Sequence, residues 1–123
     1  MHYNELTLQY FRTADGVGEL SGSGVFRGAA GSRARGTWVQ FDLAVSTGVI
    51  RAARFHAFGC PHTIAVAAWL AAHAAGFAAR AALPESVAEL SVRFALPAEK
   101  RGRLLVIEDA WLAAMSGALR QSS

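Results

Sequence analysis

The chain has 123 residues, 53% of them hydrophobic and 17% charged, with a formal net charge of +3. That composition excludes a disordered polypeptide and fits one globular domain over residues 1–123. One cysteine, Cys60, excludes an internal disulfide framework, so a reducing, cytoplasmic compartment is expected.

The basic residues are almost all arginine, and Lys100 is the only lysine. Their densest groups are Arg33/Arg35 and Lys100/Arg101/Arg103, with no aromatic residues interleaved. Nucleic-acid binding needs a basic stripe with stacking platforms, so no nucleic-acid partner is expected. The first residues lack a basic region followed by an apolar run, so no secretory leader is expected. The longest apolar stretch, Ile64 to Ala72, is short and alanine-rich, and His73 and Gly76 follow it. A membrane span needs about 20 strongly apolar residues, so this stretch reads as a buried core helix.

In chain order, Glu5 to Phe11 is amphipathic and predicts a short helix. Asp15-Gly16-Val17-Gly18 predicts a turn. The Gly- and Ser-rich stretch from Leu20 to Gly31 centres on Val25-Phe26 and predicts an edge strand. Between Thr37 and Val45, the apolar Val39, Phe41, Leu43 and Val45 alternate with Trp38, Gln40, Asp42 and Ala44. That is a strand with one buried face. Ser46-Thr47-Gly48 supplies turn chemistry, and Val49 to Phe58 resumes strand periodicity. There Ile50, Ala52, Arg54, His56 and Phe58 fall on one face, and Val49, Arg51, Ala53, Phe55 and Ala57 on the other. Two such runs about a short glycine turn predict an antiparallel hairpin.

After Gly59 the period changes. Pro61 suits a first helical position, where its missing N–H costs nothing. Thr63 to Ala75 predicts a helix apolar nearly all round, hence central. Gly76 ends or interrupts it, Phe77 to Leu83 predicts a short helical piece stopped by Pro84, and Glu85 to Leu90 predicts a further turn of helix. Ser91 to Leu96 carries no clear pattern, and Pro97 to Arg103 predicts a charged loop. Leu104 to Leu119 predicts a terminal helix, with Glu108 and Asp109 near its start, where negative charge is favourable. Strands first and helices after indicate an α+β class.

Cys60 stands where a strand hands over to a helix. The unpaired N–H groups there and the helix dipole favour its thiolate, the form that binds metal or accepts sulfur. A small buried hydrophobe is the ordinary alternative for a free cysteine. His62 adds an imidazole two residues on; a metal ligand and a solvated helix-start residue are its two readings. His73, within the central helix, is expected to be a hydrogen-bonded core histidine, and His56 a packed or surface residue. Trp38, Trp69 and Trp111 read as core or interface aromatics. No phosphate-binding glycine loop, nucleophile elbow or HExxH motif is present, so no enzyme constellation is evident.

The order of these pieces resembles the iron–sulfur cluster assembly scaffold family, the IscU type that also forms the N-terminal part of NifU. Tyr10-Phe11 and Gly16-Val17-Gly18-Glu19-Leu20 resemble its opening helix and turn. Ile50-Arg51-Ala52-Ala53-Arg54-Phe55, Phe58-Gly59-Cys60 and Ile64-Ala65 resemble its hallmark segment. Leu96-Pro97-Ala98-Glu99-Lys100 resembles a worn form of its chaperone-recognition segment, and Glu108-Asp109-Ala110 the opening of its last helix. The resemblance implies a three-stranded antiparallel sheet packed against helices, with a long central helix and a C-terminal helix. It implies cysteine desulfurase or chaperone partners, with Leu96, Pro97 and Lys100 in a partner-binding segment. A homodimer is possible.

The departures bear on chemistry. The family holds a cluster or zinc ion with three cysteines, an aspartate and a histidine. Its Cys-Gly-Asp ligand motif falls on Arg35-Gly36-Thr37, and its His-Cys on Gly102-Arg103. Only Cys60 remains, with His62 as a second candidate ligand, and one thiolate cannot supply the four ligands a zinc ion or cluster takes. The resemblance therefore implies a degraded iron–sulfur or zinc site, with no cofactor at all as the alternative. It also implies that Arg35 and Arg103 point toward Cys60, depress its pKa and form an anion pocket. Three functions stay open. The first is a divergent scaffold that binds metal or cluster with ligands from another chain. The second is a metal-free interaction module. The third is a thiol that accepts persulfide sulfur or senses redox state.

Overall fold

The computed structural model describes residues 3–121. Helix α1 spans Glu5–Thr13. Asn4 caps it by accepting from the Thr7 N–H at 2.9 Å, and its side-chain amide donates to the Arg93 carbonyl. Strands β1 (Val25–Ser32), β2 (Thr37–Ser46) and β3 (Val49–Phe58) follow, then α2 (Pro61–His73) and α3 (Val87–Arg93). A 3-10 turn over Ala98–Lys100 runs into α4 (Arg101–Gln121).

The sheet is three-stranded and antiparallel in the order β1-β2-β3. Thr47 and Gly48 both take positive φ, at 53° and 76°, which is the two-residue turn whose twist suits a hairpin. The alternation predicted along β2 holds, with Val39, Phe41 and Leu43 fully buried. The alternation predicted along β3 fails at one point. A bulge lies between Ala44 and Val45, so Val45 pairs with Ile50 while Ala44 pairs with Ala52. Arg51 is the extra residue, and Ile50 therefore shares the buried face with Ala53 and Phe55.

Helix α4 lies across β1 and β2, α2 lies against β3, and α1 packs on the outside of α2. Trp111 of α4 meets Phe41 of β2 edge-on at 5.0 Å, and both are fully buried. The alanines of α2 (Ala65, Ala67 and Ala68) are fully buried with Val66 and Leu70, as expected of a central helix. No helix among the described residues is long and apolar enough to cross a membrane.

Four expectations need correction. Phe77 to Leu83 is not helical. Gly76 turns the chain in a left-handed conformation (φ 95°), and the backbone then bonds to the hairpin: Ile50 donates to the Phe77 carbonyl and Ala79 to the Gly48 carbonyl, both at 2.9 Å. Pro97 to Arg103 is not a loop but the 3-10 turn and first turn of α4. Because α4 starts at Arg101, Glu108 and Asp109 lie about two turns into it and not at its start. His73 is an exposed residue at the end of α2, stacked on Trp69 at 4.4 Å with Nδ1 2.9 Å from the Trp69 carbonyl.

Candidate functional site

The junction of β3 and α2 is built by three consecutive residues. Gly59 passes so close to α2 that a Cβ there would lie 3.0 Å from the Thr63 side chain. Cys60 occupies the N-cap of α2 in extended backbone, and Pro61 opens the helix. A cysteine makes a poor cap, and no side-chain cap bond forms here. The thiol is left half-buried over the helix start, with Sγ 3.7 Å from Thr63 Oγ1. Burial pushes this thiol up. The Thr63 N–H, the Thr63 hydroxyl, the His62 N–H and the Lys100 charge together outweigh it and hold the thiol below its ordinary range.

His62 is not a solvated helix-start residue. It is 1% exposed. Its ring meets Tyr3 edge-on at 4.7 Å, and its Nδ1 lies 3.3 Å from Lys100 Nζ. An ammonium only donates, so Nδ1 accepts and the ring proton resides on Nε2. That Nε2 is buried and has no hydrogen-bond partner among the described residues. Burial, then Lys100, then Arg103 push the imidazole down to about 4. It is neutral at physiological pH.

Lys100 is the residue that sequence reasoning placed wrongly. In place of an exposed charge on a loop, it is 6% exposed. Its Nζ stands 5.1 Å over the Tyr3 ring, and its charge acts on both Cys60 and His62. The one sequence signal was that a lone lysine stands in a chain that otherwise uses arginine. Of its neighbours in the expected partner-binding segment, Leu96 is buried and Pro97 half-buried.

Arg35, Thr37 and Arg103 do come together. They line one cleft of about 330 Å³ with Gly31, Glu99, Gly102 and Val106, and Cys60 does not line it. Lys100 is the cation whose charge acts on the thiol, and Arg103 acts on His62, two residues further on. Arg35 sits on the β1–β2 turn, where its N–H is held by the Ser32 carbonyl at 3.2 Å; Cys60 leaves the same end of the sheet, since Phe58 at the end of β3 pairs with Trp38 at the start of β2.

Among the described residues, no group of three or more His, Cys, Asp or Glu side chains is placed to hold a metal ion. The donor set near Cys60 is one thiol and one imidazole, with Lys100 bonded to that imidazole. The site can present a thiolate; the described residues do not complete a tetrahedral shell around it.

The sequence profile described as NifU-like N terminal domain matches residues 2–120. Among solved structures, the chain is similar to the N-terminal part of a nitrogen-fixing NifU-like protein from Brucella abortus, at 18% identity and a TM-score of 0.75, covering 96% of this chain and 94% of that one. It is similar to a protein from the thermophile Fervidobacterium islandicum AW-1 assigned as an iron–sulfur cluster assembly scaffold of the SUF system. There the identity is 14% and the TM-score 0.67, over 92% of this chain and 96% of that one. No protein of curated function matches the chain. Identities this low establish the fold, and the profile establishes descent. The chain belongs to the NifU-like N-terminal domain family.

Proposed function

We propose that the chain is a divergent iron–sulfur assembly scaffold that presents one ligand of its own, the Cys60 thiolate. Iron, zinc or a cluster is then its cargo, held only when another chain supplies the remaining ligands, and a second copy is the simplest donor. The observation that carries this reading is the half-buried thiol on the N-cap of a 13-residue helix, held below its ordinary range, with no third donor beside it among the described residues. His62 joins as a ligand only if Lys100 releases Nδ1, so that the ring proton can move there and free Nε2. Cysteine desulfurase or chaperone-type partners would reach the segment at Leu96, Pro97 and Lys100 chiefly through half-buried Pro97, since the other two are buried.

A second reading is favoured by Lys100 and Arg103, whose charges act on this site and oppose a bound cation. In it the protein is a metal-free module of the same fold, and Cys60 serves as a bare thiol toward sulfur-transfer partners. Metal and acid-labile sulfide analysis of anaerobically purified protein, wild type beside Cys60→Ser, separates the two. Iron and sulfide present in the wild type and lost in the variant support the shared-ligand scaffold. Their absence from both, after attempted reconstitution, sinks it in favour of the metal-free reading.

A further inference from the structure

The geometry points to a binding site for a small oxyanion, a phosphate or carboxylate, in the cleft between the β1–β2 turn and the start of α4, gripped by Arg35 and Arg103. The inference does not rest on the reading of Cys60, which does not line this cleft.

Two guanidiniums reach the cleft from different elements, Arg35 from the turn after β1 and Arg103 from the first turn of α4. Neither forms an ion pair with a carboxylate among the described residues, although Glu99 lines the same cleft. Arg103 Nε is buried with no hydrogen-bond partner among the described residues. That nitrogen is closed to solvent, so an anion in the cleft would meet the guanidinium at its terminal nitrogens. The guanidinium fork matches paired oxygens of phosphate or carboxylate. The positive end of the 21-residue α4 falls at Arg101–Arg103 and adds attraction of the same sign. Gly102 leaves the floor open: nothing lies within 4 Å of where its Cβ would be. The volume of about 330 Å³ is that of a small-molecule pocket.

The test is calorimetric titration of the whole chain, at low ionic strength, with inorganic phosphate and separately with citrate. Saturable one-site binding to either anion is expected, and which of them binds names the class. Arg35→Gln and Arg103→Gln each weaken it about tenfold, the loss of one charged hydrogen-bonding partner. Glu99→Gln tightens it by removing the one negative charge in the cleft. Cys60→Ser leaves it unchanged. Arg33→Gln serves as the control for diffuse surface charge, since Arg33 lies over Trp38 and Phe58 and not in the cleft. Arg35 is exposed, so its variant retains the fold and decides the matter if Arg103→Gln does not. No saturable binding of either anion overturns the proposal, as does equal weakening by Arg33→Gln and Arg35→Gln.

Discussion

Gly28 fixes how closely the sheet and its covering helix approach. A Cβ on this β1 residue would lie 2.1 Å from the Ala114 nitrogen and 2.6 Å from the Ala110 carbonyl oxygen of α4, both backbone atoms that cannot step aside. Gly28→Ala is expected to cost about 3 kcal/mol or more, because the helix must lift off β1; a urea unfolding curve measures it, and a loss under ~1 kcal/mol would contradict the close approach. His62 makes a second prediction at this scale. Its imidazole titrates at about 4 in the folded chain against 6.5 ordinarily. The groups facing it are Lys100, Arg103 and the Tyr3 ring, none of which favours an imidazolium. Between pH 6.5 and about 4 the unfolded chain takes up a proton that the folded chain refuses. Stability is therefore full above pH 6.5 and falls as the pH drops through that window, by up to about 3 kcal/mol. Unfolding free energies across the window should show this slope in the wild type and a flatter one in His62→Gln.

At the scale of the element, α3 shows how a short helix survives. It has only seven residues, too few to persist by propensity alone. Ser86 accepts from the Glu89 N–H at 3.1 Å and donates to the Glu89 carboxylate at 3.0 Å. That reciprocal cap, with buried Leu90 and the Arg93–Glu85 ion pair, holds the turn. Ser86→Ala should lower stability by about 1 kcal/mol through the lost cap, measured by the shift in denaturation midpoint. In α2 the cap is weak and the packing strong. Cys60 gives no capping bond, yet eight residues of the helix are buried, so its start is fixed by Pro61 and by Gly59 against Thr63. A residue that contributes little to capping is free to present its sulfur.

At the scale of the molecule, two segments far apart in the chain, the β1–β2 turn with Arg35 and Thr37 and the start of α4 with Gly102 and Arg103, meet across one cleft. The proposed anion site lies there, and Cys60 does not line it. If each chain presents one ligand, as proposed, cargo binding depends on concentration and on a second chain. Size-exclusion chromatography with light scattering should give a doubled mass for protein reconstituted with iron and sulfide if two copies share the cargo, and the unchanged monomer mass for Cys60→Ser. Loaded protein that stays monomeric would remove the shared-ligand arrangement.

The sheet was legible because its signals are local. Alternation along Val39, Phe41 and Leu43, the Thr47-Gly48 turn and the change of period at Pro61 each depend on residues a few positions apart, and the order of short motifs carried the family resemblance. The bulge at Ala44/Val45 was not legible, because it is a mismatch between two strands and neither strand shows it alone. Nor was the course of Phe77 to Leu83, whose alanines suit a helix until the open edge of the hairpin takes their backbone bonds. The site divides in the same way. Cys60 and its place at a helix start followed from sequence. The burial of Lys100 against His62, and the convergence of Arg35 with Arg103 on one cleft, are contacts between segments more than 35 residues apart. Local chemistry determined the elements and the lone thiol; only the packing of distant elements decided which charges surround it.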